Sequence, residues 1–141
     1  MKKKICVVIA DYYPDISKML LDGSFRELQA AESKNIIEIG DDSIHVPGIF
    51  EIPVTISKVI KEYDAFVALG CVIKGKTPHF NLISKAVINA IMNLSIRNKK
   101  PIGNGIITCL NKKQAVERAN PNKKNKGGEA VQAVLATLAN F

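Results

Sequence analysis

In the stretch GCVIKGKTPHF, residues 70–80, an apolar run passes through a basic loop broken by glycine and enters Thr77-Pro78. One of the two histidines of the chain, His79, follows directly. Thr77 is a good helix N-cap and Pro78 suits a first helical position, so His79 falls in the first turn of a helix. Free backbone N–H groups and the positive end of the helix dipole point there, and Gly75 lets the backbone approach a ligand closely. Gly75, Lys76 and Thr77 are therefore a candidate phosphate cradle with His79 beside it. The same field disfavours the imidazolium, which keeps His79 available as a neutral proton acceptor near neutral pH. The other reading is a surface histidine that merely begins a helix, and the local context leaves both open. The spacing is not that of a nucleotide P-loop, and ADYYPDIS, after the first apolar run, has none of the glycines of a dinucleotide fingerprint.

Two more segments carry groups suited to a ligand. Tyr12-Tyr13 follows the first apolar run, where an aromatic ring can stack on a flat heterocycle or simply pack. In HVPGIFEIP, residues 45–53, Pro47-Gly48 enforces a turn. Beyond that turn, backbone groups and the Glu51 carboxylate suit a polyol, while an ordinary loop with Glu51 as a first-turn helix charge is the alternative. Arg118 and Lys126 lie at the ends of predicted helices, where spacing alone makes them surface charges.

These groups need elements to position them. Apolar runs at 5–10, 35–40, 65–73 and 103–110 read as buried strands. Between them lie helical periods: Ile16, Leu20 and Leu28 with Phe25 mark one helix, and Ile52, Ile56, Val59 and Ile60 a second, with Pro53 in its first turn. A third runs from about Phe80 to Ile96 with a broad apolar face expected to pack on the sheet. Asn111 with Gln114 forms a capping-box pattern for a fourth helix ending near Ala119, and Asn125 caps a fifth through Val131, Val134, Leu135 and Leu138. The alternation predicts an α/β fold: a flavodoxin-like three-layer α/β/α sandwich on a four-stranded, mostly parallel sheet with right-handed crossovers. Ligands collect outside the carboxyl ends of such strands, which here are the segments 10–15, 40–51, 70–80 and 103–110.

At 141 residues and 47% apolar content, the expectation is one domain, residues 1–141, with a sizeable core. The N-terminal apolar run stops at Asp11, too short for a secretory signal, and no run is long enough to span a bilayer. A soluble, cytoplasmic protein without membrane partners is expected. Cys6, Cys71 and Cys109 are odd in number, widely spaced and set among apolar residues, so they read as buried thiols, with neither a disulfide framework nor a metal site. The net charge of +7 falls in short clusters at 2–4, 97–100, 112–113 and 123–126 without interleaved aromatics, which argues against nucleic acid as a partner.

Three segments in this order and spacing, VPGIFEIP, DAFVALGCVIKGKTPHF and VERA followed by NKGGEA, resemble the lumazine synthases, across essentially the whole chain. The resemblance implies condensation of 5-amino-6-(D-ribitylamino)uracil with L-3,4-dihydroxy-2-butanone 4-phosphate to 6,7-dimethyl-8-ribityllumazine, phosphate and water. It implies no metal and no cofactor. Tyr12 then matches the aromatic that stacks on the pyrimidine, and backbone at Cys71, Val72 and Ile73 reads the ring's polar edge. Ile49, Phe50 and Glu51 match the residues that hold the ribityl chain. Gly75, Lys76 and Thr77 match the phosphate loop, His79 the proton shuttle, Arg118 the phosphate-gripping arginine and Lys126 a second basic residue of the site. In the family the VERA and NKG positions enter the pocket from a neighbouring subunit, which implies a homopentamer with sites at subunit interfaces, and functional coupling to riboflavin synthase.

The sequence departs from the family pattern at three places. Asp11 replaces the basic residue often found before the stacking aromatic. Asn104 occupies a ring-contacting position where many members carry Phe. The connector NPNKKNKGG lacks the Gly-rich form of members that build sixty-subunit capsids, which favours a free pentamer. The alternative is a non-catalytic flavin- or lumazine-binding or storage protein on the same scaffold. It would keep Tyr12 and Glu51 without needing the phosphate grip, so Lys76, Thr77, His79 and Arg118 favour catalysis. A shell-forming or regulatory relative, whose output is assembly or partner binding, is the third reading.

Overall fold

Ile5 to Ala10 are buried without exception, which an isolated two-faced strand cannot achieve unless helices cover both faces. In the computed structural model, which describes residues 2–40 and 42–141, they lie in β1 (Lys3–Ala10). Side chains alternate across the strand: Ile5, Val7 and Ile9 enter one core, and Cys6, Val8 and Ala10 the other. β4 (Ala65–Ile73) repeats the division, with Ala65, Val67, Leu69 and Cys71 on the first side and Phe66 and Ala68 on the second.

The other strands are β2 (Ile37–Ile39), β3 (Ile44–Val46) and β5 (Ile102–Cys109). The order is β2-β1-β4-β5, β3 also pairs with β1, and every pairing is parallel. Among the described residues the sheet thus has five strands, where four were expected. One edge of β1 is served twice: residues 3–5 pair with β2, and residues 8–10 with β3. The apolar run at 35–40 contracts because Asn35 takes a left-handed turn (φ 59°) at the end of the first helix, and Ile36 is exposed. Gly40 then donates to the Ile5 carbonyl at 2.7 Å, ending β2 before the polar residues that separate it from β3. Met1 and position 41 of the 40–51 segment lie outside the described residues.

Three helices cover the first face, α1 (Pro14–Ser33), α4 (Lys112–Ala119) and α5 (Lys126–Leu138). The second face is covered by α2 (Ile52–Val59), which follows a short 3₁₀ turn at Ile49–Glu51, and by α3 (His79–Asn98). This is the expected three-layer α/β/α arrangement. Asn111 caps α4 through the Gln114 N–H at 2.8 Å, and the Gln114 side chain accepts from Leu110 N, one residue earlier than a standard capping box. Asn125 (φ 49°) caps α5 by accepting from Gly128 N at 3.3 Å.

The expectation for α3 needs correction. Only Val87 and Ile91 are buried, whereas Leu82, Met92 and Ile96 are 57–69% exposed. The apolar surface of this helix is wider than the strip the sheet can cover, so its outer rows face away from the core.

Gly127 explains how α5 reaches α1. A Cβ there would collide with the Leu20 carbonyl oxygen, and Ser24 Oγ, buried in α1, donates to the Gly127 carbonyl at 2.8 Å. Gly127→Ala should therefore overpack this contact and cost about 1–3 kcal/mol, read as a lower urea midpoint at unchanged slope. An unchanged midpoint would mean that the two helices separate without penalty.

Candidate active site

The chain leaves β1 through α1 to the strands on one side and returns through α2 to β4 on the other. The crevice that this reversal opens at the carboxyl ends is where α/β sheets bind ligands. It holds a cleft of about 370 Å³ walled by residues that follow β1 and β3 and by the last residues of β4, together with His79 and Ile83 of α3. That volume lies within the range of small-molecule pockets.

The first wall is Tyr12, 71% exposed, with Tyr13 edge-on behind it at 5.0 Å between ring centroids. Several contacts fix this turn. Buried Ser17 donates to the Ala10 carbonyl at 2.7 Å, tying the start of α1 to the end of β1. The Lys112 ammonium lies 5.8 Å from the Tyr13 ring centre and pairs with Asp15 at 2.8 Å. The hydrogen bond from Lys112 is the main reason that Asp15 is held below its ordinary carboxylate range. An edge-on pair of rings with its outer member exposed offers a platform for a flat ligand.

The second wall runs from Pro47 to Glu51. A Cβ at Gly70 would stand 2.7 Å from Ile49 Cγ2, so the glycine lets Ile49 press onto β4 and draws this segment to the sheet. Ile49 is buried and its side chain belongs to the core, which leaves main chain for a ligand. Glu51 Oε1 accepts from Gly48 N at 3.0 Å, and its carbonyl accepts from Thr55 Oγ1 at 2.8 Å. Glu51 thus closes its own turn and also lines the cleft. Phe50 beside it is 64% exposed.

The end of β4 contributes Cys71 and half-buried Val72. Burial, then the neighbouring Cys109, pushes the Cys71 thiol up to about 12, so it is a neutral lining group and no nucleophile. Ile73 is paired with Cys109 just beyond the cleft. Gly75, Lys76 and Thr77 form an exposed loop, and a Cβ at Gly75 would meet nothing within 4 Å. Close packing within the chain is therefore not what requires glycine there. α3 begins at His79, one residue later than the expected N-cap implies, and Thr77 Oγ1 accepts from His79 N at 3.4 Å. His79 is exposed and reaches the cleft.

Three expected site residues lie elsewhere. Asn104, Arg118 and Lys126 line a separate concavity of about 340 Å³ along β5, with Glu129. Arg118 Nη1 donates to the Thr108 carbonyl at 2.6 Å, Lys126 Nζ pairs with Glu129 at 3.2 Å, and Asn104 Oδ1 accepts from Ile106 N at 3.1 Å. Within one chain the cationic groups do not face His79. Conversely, Tyr13, Pro47 and Gly48, noted with their segments but given no site role, line the cleft, as does Ile83, which had no ligand reading. Adjacency to Tyr12, the Pro-Gly turn and the four-residue spacing from His79 were their signals.

The family model for 6,7-dimethyl-8-ribityllumazine synthase matches residues 2–141. The chain belongs to the 6,7-dimethyl-8-ribityllumazine synthase family. Among its relatives of that name, one from Rhodopseudomonas palustris, 6,7-dimethyl-8-ribityllumazine synthase 1, is 42% identical over 96% of this chain and 83% of its own length. One from Bartonella tribocorum is 42% identical over 99% of this chain and 91% of its own. The Bartonella henselae protein is 43% identical over 98% and 88%. Such full-length similarity covers both concavities as well as the scaffold of this lumazine synthase relative.

The thiols give a direct check on the cleft floor. At pH 8 a group titrating at about 12 is ionised only to the order of 10⁻⁴, and Cys6 is pushed up to about 11 by burial. A disulfide reagent such as DTNB should leave Cys6 and Cys71 unmodified in the native protein and titrate both after unfolding. Prompt reaction of Cys71 in the native protein would mean that the floor of the cleft opens to solvent.

Proposed function

We propose that this chain condenses 5-amino-6-(D-ribitylamino)uracil with L-3,4-dihydroxy-2-butanone 4-phosphate to give 6,7-dimethyl-8-ribityllumazine, phosphate and water, the penultimate step of riboflavin biosynthesis. Family membership over residues 2–141 supports the reaction. The separation of the two concavities supports its setting: His79 lies on one and Arg118 on the other, so a complete site needs two copies of the chain. Tyr12 stacks on the pyrimidine, backbone at Cys71, Val72 and Ile73 reads its polar edge, and Ile49, Phe50 and Glu51 hold the ribityl chain. Gly75, Lys76 and Thr77 receive the phosphate. Arg118, Lys126 and Asn104 come from the neighbouring copy.

The assembly is a homopentamer of single-domain chains. A groove between α2 and α3 supports association, because Phe50 and Val54 line it at 60–64% exposure together with Ala86 and Ala90. A monomer would leave that apolar surface in water. Among the described residues no helix is long and apolar enough to cross a membrane; a cytoplasmic place and transfer of product to riboflavin synthase belong to the same proposal.

The chemistry asks little covalent help of the protein. The substrate amine attacks the ketone and loses water to form an imine, phosphate is eliminated, and the resulting enol tautomerises to a new carbonyl. The ribitylamino nitrogen then closes on that carbonyl with loss of a second water. Holding both reactants together supplies most of the acceleration, and His79 moves protons at the imine and enol stages. The exposed start of α3 favours the phosphate as its charge grows on leaving.

His79→Ala should lower turnover by roughly 10²-fold while leaving pyrimidine binding intact. Arg118→Ala should raise KM for the ketone phosphate roughly ten- to hundredfold. The decisive experiment dissociates the two variants and reassembles them together. Sites shared between chains regain lumazine formation, because some pair two unaltered halves. Activity no higher than the sum of the separate variants would place the whole site within one chain, and a wild-type rate equal to the uncatalysed condensation would favour a binding or storage protein.

A further inference from the structure

His45 and Asp11, 34 positions apart, meet where the two cleft walls begin. His45 Nδ1 lies 2.7 Å from Asp11 Oδ2, and His45 Nε2 lies 3.0 Å from Ser43 Oγ. Asp11 directly precedes Tyr12, and His45 directly precedes the strand end at Val46 and the wall from Pro47 to Glu51. The backbones join at the same level, with Asp11 N donating to the Val46 carbonyl at 2.9 Å. This bond is the last backbone tie of the β1–β3 ladder, and beyond it the two segments diverge into the cleft walls. The side-chain link adds an attachment just past the ladder's end, where the backbones no longer hold the spacing and orientation of the walls.

We infer that the Asp11–His45 pair is a brace that sets the distance and angle between the Tyr12 platform and the Pro47–Glu51 wall, making His45 a positioning residue for the heterocycle-and-ribityl substrate. The inference rests on the reading of the cleft given under Proposed function. Neither side chain lines the cleft, and both are far from buried, at 50% and 40% exposure. Exposed ion pairs contribute little to folding, so the pair acts chiefly through what it holds in place. With Asp11 as carboxylate, Nδ1 carries the proton and donates, and the Ser43 hydroxyl on the other nitrogen restrains the ring's rotation. The outcome is selective: the brace governs the ring-and-polyol half of the site and leaves the phosphate loop after β4 untouched.

The test is steady-state kinetics on the assembled full-length protein as His45→Ala, Asp11→Ala, the double variant and His45→Asn, with thermal unfolding to verify that each folds. Either alanine variant should raise KM for the pyrimidine about 5- to 20-fold, leaving kcat within about twofold and KM for the ketone phosphate unchanged. The double variant should be no worse than either single one, because the two act as a unit. The Asn amide, which places an N–H near the position of Nδ1, should restore most of the loss. Additive losses, a fall in kcat at unchanged pyrimidine KM, or His45→Asn as impaired as His45→Ala would each overturn the brace. Riboflavin fluorescence quenching separates this result from failure of the reaction itself. If the wild-type protein binds riboflavin but forms no lumazine, the enzymatic reading fails. The brace then stands on a 5- to 20-fold weaker riboflavin affinity in the alanine variants and falls if affinity is unchanged.

Discussion

Burial of β1 and β4 on both faces is the constraint from which the rest follows. Ile5, Val8, Ile9, Phe66, Val67 and Leu69 are fully buried, and each such side chain contributes about 1.5–3 kcal/mol relative to exposure. Strands of this kind have no face left for polar chemistry. Functional groups are displaced to the strand ends, and because all the pairings are parallel the carboxyl ends lie together. Tyr12, the Pro47–Glu51 wall, Val72 and His79 converge for that reason, although they are far apart in the chain.

The same packing needs small residues where backbone meets backbone. Ala115, Ala119 and Ala130 let α4 and α5 approach the first face, and a Cβ at Gly103 would stand 2.5 Å from the Ala130 carbonyl oxygen. Arg118, placed at the end of α4, and Lys126, at the start of α5, are thereby held at the β5 edge, on the far side of the sheet from β2. Gly70 has the corresponding effect at the cleft, since the room it leaves for Ile49 carries the Pro47–Glu51 wall inward. Core packing and site geometry are one problem here.

Long apolar runs and clear caps made β1, β4, β5, α2 and α4 legible to within a residue or two. The short β3 was not, because Ile44 to Val46 is paired through its position beside β1 and its three residues carry no period of their own. The apolar breadth of α3 was legible and its partner was not: periodicity reports that a row is apolar, and cannot distinguish a sheet within the chain from a surface outside it. That Asn104, Arg118 and Lys126 lie on a concavity apart from His79 was not legible in spacing, which assigns residues to elements and not elements to neighbours; the resemblance alone set the VERA and NKG positions apart, on another chain. Asp11 and His45 were visible as residues but not as a pair, because their contact depends on the register of β1 with β3.

The proposed division of the site links catalysis to association through ordinary surface physics. A cationic group kept away from His79 within its own chain, at rest on the Thr108 carbonyl and Cys109 sulfur, costs the monomer little because those acceptors occupy it. The exposed apolar side chains of Phe50, Val54 and Leu82 would gain by leaving water if a second copy covered them. Hydrophobic surface can thus supply the association free energy, while the charged residues select the phosphate-bearing reactant. In that arrangement an isolated chain retains a heterocycle cleft but lacks the phosphate grip, so the capacity to bind a flavin-like ring and the capacity to catalyse are separable properties of one fold.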